Sequence, residues 1–174
     1  EAGADTNATD RAGFTALDLA IYSRNHSRVL GYLLDRGFQV NRRDPRGKTP
    51  LLAAVHVHDS PRVIQMLLEK GAEVTVRDRK GFTPLMVASG VGNAGVVELL
   101  LEHGARVNAR DEQGMTPLLH AVKYNNQPDG VVRALLNHGA DPGVLNEKFD
   151  DPGSALTEAN LSDTLVQRLL SESR

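Results

Sequence analysis

The sequence predicts an all-α solenoid of stacked helix-turn-helix units, joined by β-turn or hairpin-like tips. Three observations carry this. An Asp-x-x-Gly-x-Thr phrase recurs at Asp10, Asp44, Asp78 and Asp111, with steps of 34, 34 and 33 residues between its threonines. A second phrase, Leu-Leu-x-x-Gly, recurs in phase and ends at Gly37, Gly71, Gly104 and Gly139. Between the two landmarks, apolar residues fall at helical spacing.

Each unit follows from its residues in order. Asp opens a turn by bonding local backbone, and the Gly three positions on accepts the positive φ that closes it. Thr15, Thr49, Thr83 and Thr116 are natural N-caps. Pro50, Pro84 and Pro117 suit the first helical position, where no amide hydrogen is needed. The second helix shows its apolar stripe in Val63, Ile64, Leu67 and Leu68, and again in Val96, Val97, Leu100 and Leu101. Ser60-Pro61 repeats the cap-then-proline signal at one second-helix start. The four phrase-ending glycines stop these helices in the left-handed conformation. Such a helix pair is too short to be stable alone, so copies must stack to bury their apolar faces.

The phrases Asp-x-x-Gly-x-Thr-Pro-Leu and Leu-Leu-x-x-Gly-Ala-x-Val-Asn resemble the ankyrin repeat, over nearly the whole chain. The second is complete at Gly104-Ala105-Arg106-Val107-Asn108. One departure recurs. The His that usually follows Thr-Pro-Leu is replaced by Asp18, Leu52, Met86 and Leu119. The resemblance implies that the bond from that His to neighbouring backbone is missing.

The expected organisation is a remnant of a preceding repeat at 1–9, repeats at 10–43, 44–77, 78–110 and 111–144, and a degenerate capping repeat at 145–174. Glu1 to Ala8 match the end of a unit, which points to a further repeat upstream or to a divergent cap. Ser154 to Ala159 match a first helix after an enlarged turn at 146–151. Leu165, Val166, Leu169 and Leu170 form the second stripe of this last unit. The fourth repeat carries an insertion at 125–130, read as a partner contact or a neutral loop.

Composition narrows the function. Cysteine is absent, which excludes disulfides and thiolate metal sites. With no visible leader, this favours an intracellular location. No apolar run reaches the length of a membrane helix. The net charge of −2 gives no global attraction to nucleic acid. Gly90-Val-Gly92-Asn-Ala-Gly95 has the letters of a dinucleotide fingerprint but lies between two predicted helices, so it reads as an inter-helix loop. His56-Val57-His58 has no phased partner and reads as polar surface rather than a metal site. His103 and His138 precede helix-ending glycines, where a helix C-terminus favours them. Asp150-Asp151 reads as turn chemistry. No nucleophile elbow, phosphate loop or zinc-protease motif is present, so neither an enzyme nor a cofactor is expected.

In the resembled family, partners usually dock on the concave face built from tips and first helices. The corresponding positions here are Phe14, Lys48, Phe82 and Met115 before each Thr, and Ala12, Arg46, Lys80 and Gln113 at the tips. Tyr22, His56, Gly90, Lys123 and Tyr124 lie at the first-helix ends. Phe14, Phe82 and Met115 read as solvent-accessible anchors for a partner, with packing between neighbouring turns as the alternative for the two Phe residues. Arg42, Arg43, Arg46, Lys48, Arg77, Arg79 and Lys80 form a basic ridge, read either as a site for an acidic partner segment or as a solvated rim.

The expected partner is another protein. It would be gripped through Arg46, Lys48, Arg79, Lys80, Phe82, Gln113, Met115, Tyr22, His56 and Tyr124. No small-molecule substrate and no membrane are expected, and the chain on its own should be a monomer. Two alternatives remain: an architectural or regulatory segment of a larger protein, and, less favoured for want of stacking aromatics among the basic tips, nucleic-acid binding by the ridge.

Overall fold

A computed structural model describes residues 5–23, 27–57, 61–145 and 161–172. Four helix hairpins follow one another. They are α1 (Ala16–Tyr22) with α2 (Ser27–Asp35), α3 (Pro50–Val57) with α4 (Pro61–Glu69), α5 (Pro84–Val91) with α6 (Ala94–Glu102), and α7 (Pro117–Tyr124) with α8 (Asp129–Asn137). A last helix, α9 (Asp163–Glu172), follows. The first helices stack as α1 on α3, α3 on α5 and α5 on α7. The second helices form a parallel layer, α2 on α4, α4 on α6 and α6 on α8.

The core lies between these layers. Leu51, Ile64, Leu67, Leu85, Leu100, Leu118, Val132 and Leu135 are all essentially inaccessible. Burying each such side chain contributes roughly 2 kcal/mol relative to exposure, so adjacent hairpins stabilise each other through shared apolar area.

The expected caps are present. The threonine hydroxyls at 15, 49, 83 and 116 accept from the backbone amides of Asp18, Leu52, Met86 and Leu119. Gly37, Gly71, Gly104 and Gly139 all have positive φ. The Gly90–Gly95 segment is helical up to Val91. There Gly92, at φ +93°, ends α5, and Asn93 caps α6 by accepting from Val96. Two residues therefore join two helices, with no strand.

The missing-histidine expectation needs one correction. At the first position Asp18 supplies a bond of its own. Its Oδ2 accepts from the Thr15 amide and the Thr15 hydroxyl, both at 2.8 Å. Arg42 closes the cluster at 3.3 Å from the same oxygen. At the third position the Met86 sulfur accepts weakly from the Thr83 amide at 3.4 Å.

The capping helix α9 is tied on by Leu165 and Leu169, both buried, and by a hydrogen bond from the Ser162 amide to Asp129 Oδ1 at 2.9 Å. Burial pushes the Asp129 carboxyl up, but Ser162 and the nearby Arg133 charge outweigh it and hold the group below its usual range. The readings made for Glu1 to Ala4, His58, Ser60, the enlarged turn with Asp150-Asp151, and the Ser154–Ala159 helix lie outside the described residues.

Candidate functional site: the tips and the first-helix groove

All four tips are built alike. One carboxylate oxygen of the leading Asp accepts two backbone amides, from the second and fourth residues after it. The pairs are Ala12 and Phe14, Arg46 and Lys48, Lys80 and Phe82, and Gln113 and Met115, at 2.8–3.0 Å. Because the tip is held by its Asp and its backbone, its middle side chains point outward. Arg46, Arg79, Lys80 and Gln113 are accordingly exposed.

Part of the predicted basic ridge is used internally. Arg43 donates to its own tip at Gly47 O (2.6 Å) and to the next unit at Arg77 O (2.9 Å). Arg77 repeats this with Gly81 O and Arg110 O. Arg42 is engaged by Asp18 and by Gly13 O. These three arginines tie successive tips together, which leaves Arg46, Arg79 and Lys80 exposed and Lys48 half-buried as the rest of the ridge.

The apolar candidates separate. Met115 is 7% exposed and belongs to the core, which corrects the expectation that it is accessible. Phe14 and Phe82 are half-buried and pack against neighbouring rings, so each combines the two readings made of it. Phe14 meets Tyr22 edge-to-face at 6.0 Å. The Arg46 guanidinium lies 4.8 Å from the Tyr22 ring centre and 5.5 Å from that of Phe14. Tyr22 donates to Asp44 Oδ2 at 2.6 Å. Burial first, then this bond and the Asp44 charge, push the Tyr22 phenol up to about 12.

A second cluster forms on α3, α5 and α7. His56, Phe82, Met86, Val87, Gly90, Val91, His120 and Tyr124 line an open groove of about 310 Å³. Gly90 contributes no side chain to it, between Val87 and Val91 of the same helix. Phe82 stands edge-to-face on His120 at 4.9 Å, and His120 lies 5.5 Å from Tyr124. The His120 ring is fixed from behind by Asp111 Oδ2 at 2.9 Å, with both side chains buried. Burial, and then Lys48, hold His56 below its ordinary value.

Three of the sequence-predicted residues, His56, Phe82 and Tyr124, thus share one groove. Tyr22 and Arg46 share the other cluster. The contributions of Val87, Val91 and His120 were not foreseen. The available signal was compositional: α3, α5 and α7 contain no Asp or Glu. In the 125–130 loop, Asn125 and Pro128 are buried, and Asn126 and Gln127 face outward. His103 Nδ1 contacts Leu99 O at 2.8 Å, as a helix end favours, while His138 Nε2 reaches Glu98 Oε2 at 2.9 Å. Among the described residues no helix is long and apolar enough to cross a membrane, and no three His, Cys, Asp or Glu gather as a metal site.

Two sequence-family models match the chain. One described as "Ankyrin repeats (3 copies)" covers residues 51–146. One described as "Ankyrin repeats (many copies)" covers residues 1–54. No curated protein matches the chain.

Proposed function

The chain belongs to the ankyrin-repeat family, and from that premise we propose that it is a protein-binding module whose contact surface is the concave side. Repeats of this family are generally protein–protein interaction modules and typically non-catalytic. Our reading of this chain is finer. The partner docks over the tips at Arg46, Lys48, Arg79 and Lys80 and over the first-helix ends at His56, Phe82 and Tyr124, and it presents an acidic segment to them. The chain itself has no catalytic activity and needs no cofactor. The partition into repeats at 10–43, 44–77, 78–110 and 111–144 belongs to the same reading and is supported by one helix hairpin within each span.

One observation carries the choice of surface. The layer α3–α5–α7 has no carboxylate, while the neighbouring tips point Arg46, Arg79 and Lys80 outward. A surface fixed by backbone bonds before contact spares a partner the ordering cost of flexible loops. The test is capture from a lysate by the immobilised chain and by an Arg79→Glu/Lys80→Glu variant, with circular dichroism confirming that both are folded. Proteins held by the first and lost by the second support the reading. Identical retained sets would overturn it.

A further inference from the structure

We propose that the groove over Gly90 is a socket for one apolar side chain of an extended partner segment, with carboxylates on either side of that residue. This rests on the concave-surface reading and goes further in assigning the socket and the chemistry of its occupant.

Val87, Val91, Phe82 and Tyr124 supply apolar walls above the fully buried Met86. Val91 and Tyr124 remain 50% and 51% exposed, although they stand among large hydrophobic neighbours. Apolar area gathered in a concavity, with Phe82 held edge-to-face on His120, is the arrangement that binding anchors fill. The floor is a glycine. A Cβ on Gly90 would meet Tyr124 Cβ at 3.7 Å and the His120 carbonyl oxygen at 4.0 Å, which is ordinary contact. Close packing against α7 therefore does not demand glycine here, and φ at this position is not in the left-handed region. The missing side chain leaves room for contact beside Tyr124. At about 310 Å³ the groove is at the small end of binding cavities and has room for a Leu, Met or Phe side chain.

Charge defines the flanks. Lys123 lies beside Tyr124, its Nζ 5.4 Å from the ring centre. Lys48 is close enough to His56 to disfavour its protonation. Lys80 and Arg79 are exposed on the tip that carries Phe82. The nearby acids are occupied or displaced: Asp111 is buried against His120, Asp78 accepts its own turn's amides, and Glu112 sits on the next tip beside the Lys80 backbone. A segment with carboxylates on both sides of its anchor meets cations at both ends of the groove, and one with lysines there is repelled.

The experiment uses random twelve-residue peptides displayed on phage and selected on the chain, with enriched peptides then synthesised and titrated by fluorescence polarisation. Three variants are compared: Gly90→Leu, which fills the socket; Val91→Glu, which places an acid at its exposed rim; and Arg79→Glu/Lys80→Glu. The expected peptides share one Leu, Ile, Met or Phe between acidic residues. Gly90→Leu and Val91→Glu should each weaken them at least about fivefold. Val91→Glu guards against Gly90→Leu failing to fold, since its side chain already faces outward. If enriched peptides bind both groove variants as they bind the wild type but are lost by Arg79→Glu/Lys80→Glu, the socket is overturned and the concave-surface reading stands. If no peptide is enriched, or none responds to any of the three variants, the socket is likewise overturned. An unchanged lysate capture would then remove the concave-surface reading as well.

Discussion

The Tyr22 hydroxyl, at the end of α1, donates to Asp44 of the following tip across 2.6 Å. The other oxygen of the same carboxylate holds the turn's amides from Arg46 and Lys48. One Asp thus shapes its own tip and ties it to the preceding hairpin. Tyr22→Phe removes the tie and leaves the turn. We expect a loss of about 1–2 kcal/mol in urea denaturation, since the acceptor is charged but only one bond goes. The raised phenol also sets a pH dependence. Its contribution is complete below the unfolded value near 10 and disappears as pH rises through about 12. The wild type should lose stability over that interval more steeply than Tyr22→Phe, and parallel curves would refute the assignment.

Two glycines, two residues apart, should respond in opposite directions. At Gly90 a Cβ makes ordinary contacts in a helical turn, so Gly90→Ala should be neutral or stabilise by up to about 1 kcal/mol. At Gly92 φ is +93°, and a Cβ would stand 2.6 Å from Asn125 Oδ1. Gly92→Ala should therefore cost more than about 1 kcal/mol. Thermal melts of the two single variants make the comparison, and equal shifts would contradict both accounts.

Asn41 joins adjacent loops twice, donating to Gly71 O at 2.9 Å and accepting from the Glu73 amide at 2.9 Å. Asn108 does the same with Gly139 and Asp141. The position between them in the repeat is Thr75, exposed and too short to span the gap. Thr75→Asn should complete the series by bonding Gly104 O and the Arg106 amide. A gain of about 0.5–1.5 kcal/mol is expected in denaturant titration. Slower exchange of the Arg106 amide should accompany it, and its absence would show that the loop does not accept the bridge.

His56 should titrate below its ordinary 6.5 when followed by proton NMR, because burial first, and Lys48 second, disfavour the charged ring. Lys48→Ala should move the midpoint part of the way back up. For this group the unfolded chain binds the proton more readily, so stability should fall as pH drops below about 6.5. A midpoint that ignores Lys48 would separate the two residues.

Much of the fold was legible because its signals are local. A Thr cap, a following Pro and a Gly with positive φ report on a few neighbouring residues, and the 33–34-residue period extends that report along the chain. The Gly90–Gly95 phrase reads as an inter-helix loop, and the junction between α5 and α6 does fall within it, though only Gly92 and Asn93 lie outside the helices. The candidate surface was legible only in part. Met115 precedes its Thr as Phe82 does, yet it is buried while Phe82 lines the groove, and their position in the repeat does not separate them. Arg43 and Arg79 look equivalent as letters, but only Arg43 has carbonyls of two tips within reach. The role of Asp18 was missed because a carboxylate was judged against the bond a histidine would make rather than the one a carboxylate can make.

The tips have one further consequence. The bonds that shape them come from the leading Asp and from main-chain amides, so on the Asp78 tip the turn does not depend on the side chains of Arg79 and Lys80. Arg79 and Lys80 can be rewritten in sign or size without renegotiating the turn, and recognition at this edge can change while the scaffold beneath it stays the same.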